Sequence, residues 1–112
     1  MSTTLSMPWL LLLIAGLLEI VWSVSMKASA GFTRWPLTVV TIAAAWASFI
    51  LLGLSLKSLP VGTAYAVWTG IGAIGAAVLG IALFDEAVTV ARIGCIALIV
   101  GGIVGLRLTA GH

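Results

Sequence analysis

Four apolar runs fill almost the whole chain, and the charged residues fall between the runs far more than within them. The runs cover 8–26, closed by Lys27; 36–56, closed by Lys57; 60–84, closed by Asp85 and Glu86; and 87–106, closed by Arg107. Crossing the hydrocarbon takes about 20 residues as a helix, so the first three are long enough outright. The fourth is free of charge only over 93–106, and it spans if Arg92 snorkels to the headgroups from the first helical turns. Strands would need polar and apolar residues to alternate, which they do not. In lipid a helix satisfies its own backbone. The pattern predicts an all-α integral membrane protein, with residues 1–112 forming a single four-helix transmembrane domain. Pro36 and Pro60 stand at the starts of runs, where a missing N–H costs nothing. Trp9 and Trp35 sit near run ends, where interfacial anchors belong. Gly31 suits a positive φ in the first connection.

Composition agrees. Of 112 residues, 62% are hydrophobic and 7% charged, against about 25% charged in a soluble domain. Mean hydropathy is +1.32. The net charge of +2 is not gathered into a cluster that could follow a phosphate backbone, so no nucleic-acid partner is expected. Cys95 is the single cysteine and packs as a small hydrophobe rather than in an internal disulfide. Ala28-Ser29-Ala30 has the look of a signal-peptidase site. The stretch before it lacks a positive n-region, is too long and contains Glu19, so cleavage is not expected.

Glu19 is the exception to the punctuation. It lies near the middle of the first run with no cation within seven residues on either side. A carboxylate there costs about 2.5–3.5 kcal/mol on the lenient insertion scale, and such residues mark pathways by default. The plain alternative is a protonated glutamate bonded to a neighbouring helix. One helical turn away lie Ala15 and Gly16 before it, and Trp22 and Ser23 after it. Small residues admit something close, and the indole and hydroxyl border it. A proton and a cation would then compete for the same two oxygens.

The third run carries a second face. Tyr65, Trp68, Thr69 and Gly72 follow i, i+3, i+4, i+7. Tyr65 can donate to a carboxylate, and the Trp68 ring can hold a cation, worth about 0.5–2 kcal/mol. An aromatic stripe that only packs would use the same spacing. Ser48 is a weaker candidate for orienting Glu19, since a lone serine often bonds back to its own helix. Gly70 and Gly72 read either as a bending point or, with Ala76 and Gly80, as a close-packing face. The fourth run carries Gly94, Ala97, Gly101 and Gly105 and no polar group at mid-depth, which reads as an association face.

Orientation is nearly undetermined. With four spans, Lys57 and Arg107 share one side, while Lys27, Arg34 and Arg92 share the other. Two cations against three is hardly a positive-inside bias, so copies inserted both ways are expected. Larger transporters place their site between two inverted repeats. Here an upside-down second copy would supply the second repeat, with the fourth helices holding the pair and the first three lining the cavity.

The stretches "AGLLEIVWSVSMK", "GFTR" and "KSLPVGTAYAVWTGIGAIGAA" resemble the small multidrug resistance family of proton-coupled exporters. The likeness runs from about Trp9 to Leu108. Trp22 and "TAYAVWTGIGA" resemble its guanidinium-exporter subtype, whereas "SVSMK" and "TRWP" lean toward the drug exporters. The resemblance implies that Glu19 binds substrate and proton in turn, and that Gly16, Trp22, Ser48, Tyr65 and Trp68 form the surrounding network. It further implies a kink at Gly70 and Gly72, a dimer contact at Gly94 and Gly101, an antiparallel homodimer and a bacterial inner-membrane location. Guanidinium is planar and meets a carboxylate with a fork of donors, and its faces stack on indole. A quaternary ammonium has no donors and asks for a roomier aromatic cage, and an exporter of such cations is the close alternative. A dual-topology channel would need a polar pore that the fourth run lacks. A rotor-type subunit would need no aromatic site. Enzyme activity is not expected: no metal cluster or nucleophile–base pair is present, and His112 is terminal. No cofactor is implied.

Overall fold

The computed structural model describes residues 7–110. They form α1 (Met7–Ala28), α2 (Trp35–Ser55), α3 (Val61–Phe84) and α4 (Val90–Ala110). His112 lies outside the described residues. All four helices are long and apolar enough to cross a membrane. The shortest have 21 residues, or about 32 Å at 1.5 Å per residue, which matches the hydrocarbon thickness.

α1 is the centre of the arrangement and packs against both α2 and α3, while α4 lies along α3 and reaches α1 through the side chain of Arg107. Many of the buried side chains are small or slender, Ala15, Ala44, Ala64, Ser25, Thr41 and Ser48 among them, and they lie alongside the larger Leu12, Val67 and Trp68. Bulky residues such as Trp46, Leu98 and Leu108 point outward, as expected where lipid tails are the solvent. The buried hydroxyls are satisfied. Ser25 and Thr41 bond each other at 2.7 Å across α1 and α2, and Thr41 also reaches the Leu37 carbonyl at 2.8 Å.

The connections explain where the run boundaries and the helix boundaries part. The first is a tight turn around buried Ser29, whose hydroxyl donates to the Met26 carbonyl at 2.7 Å and accepts from the Phe32 amide at 3.0 Å. Gly31 has the positive φ that its place predicts, and Ala30 and Phe32 share it. The third connection delays α4. The fourth run suggests a start at 87, but the helix begins at Val90. Asp85 caps α3 in the left-handed region at φ 54, and the Glu86 amide turns back to the Gly80 carbonyl at 3.3 Å. The Thr89 hydroxyl then accepts the Arg92 amide at 3.1 Å, as an N-cap does. Arg92 does not simply reach out toward headgroups. Its guanidinium bonds the Glu86 carboxylate at 2.6 Å. Two further cations cover rings at helix ends: Lys27 lies over Phe84 at 5.5 Å and Arg107 over Trp9 at 4.9 Å.

Candidate functional site: a carboxylate between two helices

α1 and α3 mesh through glycines. Ile71 of α3 seats in the notch at Gly16, where an added Cβ would lie 2.7 Å from its Cγ2. One turn later the direction reverses: Glu19 of α1 seats in the notch at Gly72, where a Cβ would overlap the carboxyl group itself. Ile20 fills the notch at Gly75 in the same way. Gly16 therefore does not leave an open approach to Glu19, as its small size suggests; Ile71 occupies that space. Gly70 plays the same part for α4, with Ile103 2.7 Å from the position of its absent Cβ. α3 runs unbroken from Val61 to Phe84 through both Gly70 and Gly72, so in this conformation these two act as notches.

The Glu19 Oε1 is buried and takes no hydrogen bond from any described residue. The expected donation from Tyr65 is therefore not made to that oxygen; Tyr65 is 57% exposed and stacks its ring on Trp68 at 5.5 Å. The face expected from Tyr65, Trp68, Thr69 and Gly72 divides. Trp68 and Gly72 are buried, while Tyr65 and Thr69 are exposed. Trp22 presents a second buried polar atom without a partner, its Nε1. One helical turn of α1 thus carries a bare acceptor at Glu19 and a bare donor at Trp22, where most buried polar groups are paired.

Ser48 does not bond back to α2. Its hydroxyl donates across to the Ala15 carbonyl at 2.7 Å and accepts the Trp68 indole N–H at 2.9 Å. Ala15 is four residues before Glu19, so its carbonyl is also the one that the Glu19 amide uses in the helix. Three helices are stitched at one hydroxyl, one turn from the carboxylate. Trp68 has its N–H committed and offers only ring faces.

Phe49 is the member that the sequence reading missed. Its ring stands between Trp22, at 6.3 Å and 59°, and Trp68, at 5.7 Å and 56°. With Tyr65 this makes a continuous run of tilted rings that starts at Trp22, one helical turn from Glu19. A phenylalanine in an apolar run carries no signal by itself. Its position next to Ser48 was the available hint, and it becomes meaningful once α2 is known to cross α1 at Ala15.

Gly94 and Gly101 of α4 have nothing within 4 Å of an added Cβ, and no residue of 90–109 is buried. Within one chain their face touches no protein. A cavity of about 300 Å³ lies beyond the site, between the later turns of α1 and α3 and the start of α4. It begins at Ser23 and Ala76, one turn past Glu19 and Gly72, and Glu19 does not line it; nor does any residue of α2. Among the described residues no cluster of His, Cys, Asp or Glu has the arrangement of a metal site.

The family described as Small Multidrug Resistance protein matches residues 7–99. A guanidinium exporter of Yersinia pseudotuberculosis is 52% identical over 104 residues, covering 93% of this chain and 100% of that protein. One from Salmonella typhimurium is 54% identical, covering 93% and 99%. One from Citrobacter freundii is 53% identical over 103 residues, covering 92% and 98%.

Proposed function

The chain belongs to the small multidrug resistance family and is a multi-pass membrane transporter; from that premise we propose that it exports guanidinium and small guanidinyl cations in exchange for protons. Glu19 is the exchange site, holding substrate or proton in turn. The observation that carries this reading is the buried, unpartnered Glu19 Oε1 lodged against the α3 backbone at Gly72. A carboxylate with no internal cation has room for an external one. The relatives' name supports the choice of guanidinium.

Each network residue has a part in this reading. Gly16 and Gly72 set how closely α1 and α3 approach. Ser48 fixes Trp68 so that its face, with those of Phe49 and Trp22, borders a planar cation. Tyr65 steadies Trp68 by stacking. A guanidinium donates to the carboxylate through a planar fork while its faces lie against rings. Protonation removes the charge that holds it, and the cation leaves. Apparent affinity for guanidinium therefore falls as pH falls.

The working unit in this proposal is an antiparallel homodimer in a bacterial inner membrane, each copy contributing its single four-helix domain. The near balance of Lys and Arg between the two sides supports insertion both ways. The bare α4 face supports pairing there, with Gly94 and Gly101 at the contact. Gly70 and Gly72, which lack side chains in a long helix, are the bending point as the site alternates between sides.

Uptake into proteoliposomes under a pH gradient tests the function, with guanidinium set against a tetraalkylammonium. Guanidinium should move in response to the gradient, and the tetraalkylammonium should not. Equal transport of both, or guanidinium flux indifferent to the gradient, would overturn the assignment.

A further inference from the structure

The cavity of about 300 Å³ beyond the site has a charge balance of its own. Lys27, Arg92 and Glu86 are the ionisable residues in its wall: two cations against one carboxylate, an excess of one positive charge. Glu86 is already taken. Arg92 Nη2 donates to its Oε1 at 2.6 Å, and Gly80, without a side chain, makes room for the carboxyl group. Lys27 has no carboxylate within ion-pair distance among the described residues, and its Nζ lies over the Phe84 ring at 5.5 Å. The Ser23 hydroxyl is committed to the Ile20 carbonyl at 3.0 Å. A cation entering here would meet Lys27 and would have to displace Arg92. An anion would meet two donors.

Position and surroundings narrow the anion. The cavity lies where α1 and α3 end and α4 begins, at the level where spans meet headgroups. The rest of its wall is apolar, including Val24, Ala76 and Phe84. The connection that carries Glu86 is flanked by Leu83 and Val90, 60% and 90% exposed, apolar surface suited to acyl chains. We propose that this cavity binds the phosphate of an anionic phospholipid headgroup, with Lys27 and Arg92 as its cationic contacts. A lipid seated there would brace the ends of α1 and α3 against α4, which has no other helix to lean on.

Native mass spectrometry of the full-length protein, with phosphatidylglycerol against phosphatidylcholine, tests this independently of what is transported. The wild type should retain phosphatidylglycerol preferentially. Lys27→Gln should weaken that retention about fivefold, and Lys27→Arg should restore it. Glu86→Gln removes the carboxylate and should tighten phosphatidylglycerol binding. Should Glu86→Gln fail to fold, the Lys27 pair decides alone. Equal retention of the two lipids, indifference to Lys27→Gln, or loosening in Glu86→Gln would overturn the proposal, the last by pointing to a cation at Glu86. Displacement of phosphatidylglycerol by inorganic phosphate at equal concentration would make this a free-anion site and overturn the lipid assignment.

Discussion

α1 and α4 both lie against α3, yet they use their small residues in opposite ways. At the α1–α3 contact each glycine is filled by a named side chain: Ile71 at Gly16, Glu19 at Gly72, Ile20 at Gly75. On α4, Gly94, Gly101, Gly102 and Gly105 face nothing within 4 Å. The same residue type therefore marks a finished contact in one place and an unoccupied one in the other. A glycine pattern alone does not say which. Without a hydrophobic drive between helices in lipid, close packing must come from such notches. The finished contact holds the carboxylate, and the unoccupied one is the face to which the proposal assigns the second copy.

The sharpest way to break the comparison is at Glu19. Glu19→Gln keeps the shape that fills the Gly72 notch and removes the charge, so guanidinium uptake should drop to the level of empty liposomes. Retained gradient-driven uptake would show that the notch, and not the charge, was the point. Gly72→Ala comes next. It sets a methyl group on the carboxyl position, an overpacking cost of about 1–3 kcal/mol, and substrate binding by calorimetry should weaken about tenfold or more. Gly53→Ala on α2 is its control and should leave binding unchanged, because the new Cβ meets open space. The double variant Gly94→Leu with Gly101→Leu should lower the dimer fraction severalfold in energy-transfer measurements between labelled copies. Helix content by circular dichroism should hold. A pair of leucines that left the dimer intact would move the contact off this face. Ser48→Ala has the smallest expected effect. It orphans the Trp68 N–H, and thermal unfolding in detergent should register a loss of about 1–3 kcal/mol, with transport reduced but present.

The helices were legible because charge is so scarce that, Glu19 apart, it falls at or near their ends. The start of α4 was misplaced because Glu86 and Thr89 look like ordinary polar residues until Glu86 is seen to fold back on Gly80. Glu19 was legible for the same reason that the helices were, as a charge in the wrong place. Its surroundings were legible only by type. Gly16 was read as access and is occupied. Tyr65 was read as a donor to Glu19 and stacks on Trp68 instead. Periodicity places residues on a face of one helix but carries no information about which helix that face meets. Phe49 and the Ser48–Ala15 bond depend on that crossing and were out of reach.

The Ser48 hydroxyl has one proton to give, and it gives it to the Ala15 carbonyl while holding the Trp68 indole. Mechanically this is a linkage with no slack. A guest that pushes the indole aside draws on the same oxygen that grips the turn of α1 below the carboxylate. Beside the Phe49 ring, this hydroxyl is the polar tie between α2 and α3, and a displacement of the indole passes through it. In the proposed exchange, a ligand arriving at the rings would thus be felt as a tug on the backbone that carries Glu19, before any change in its charge.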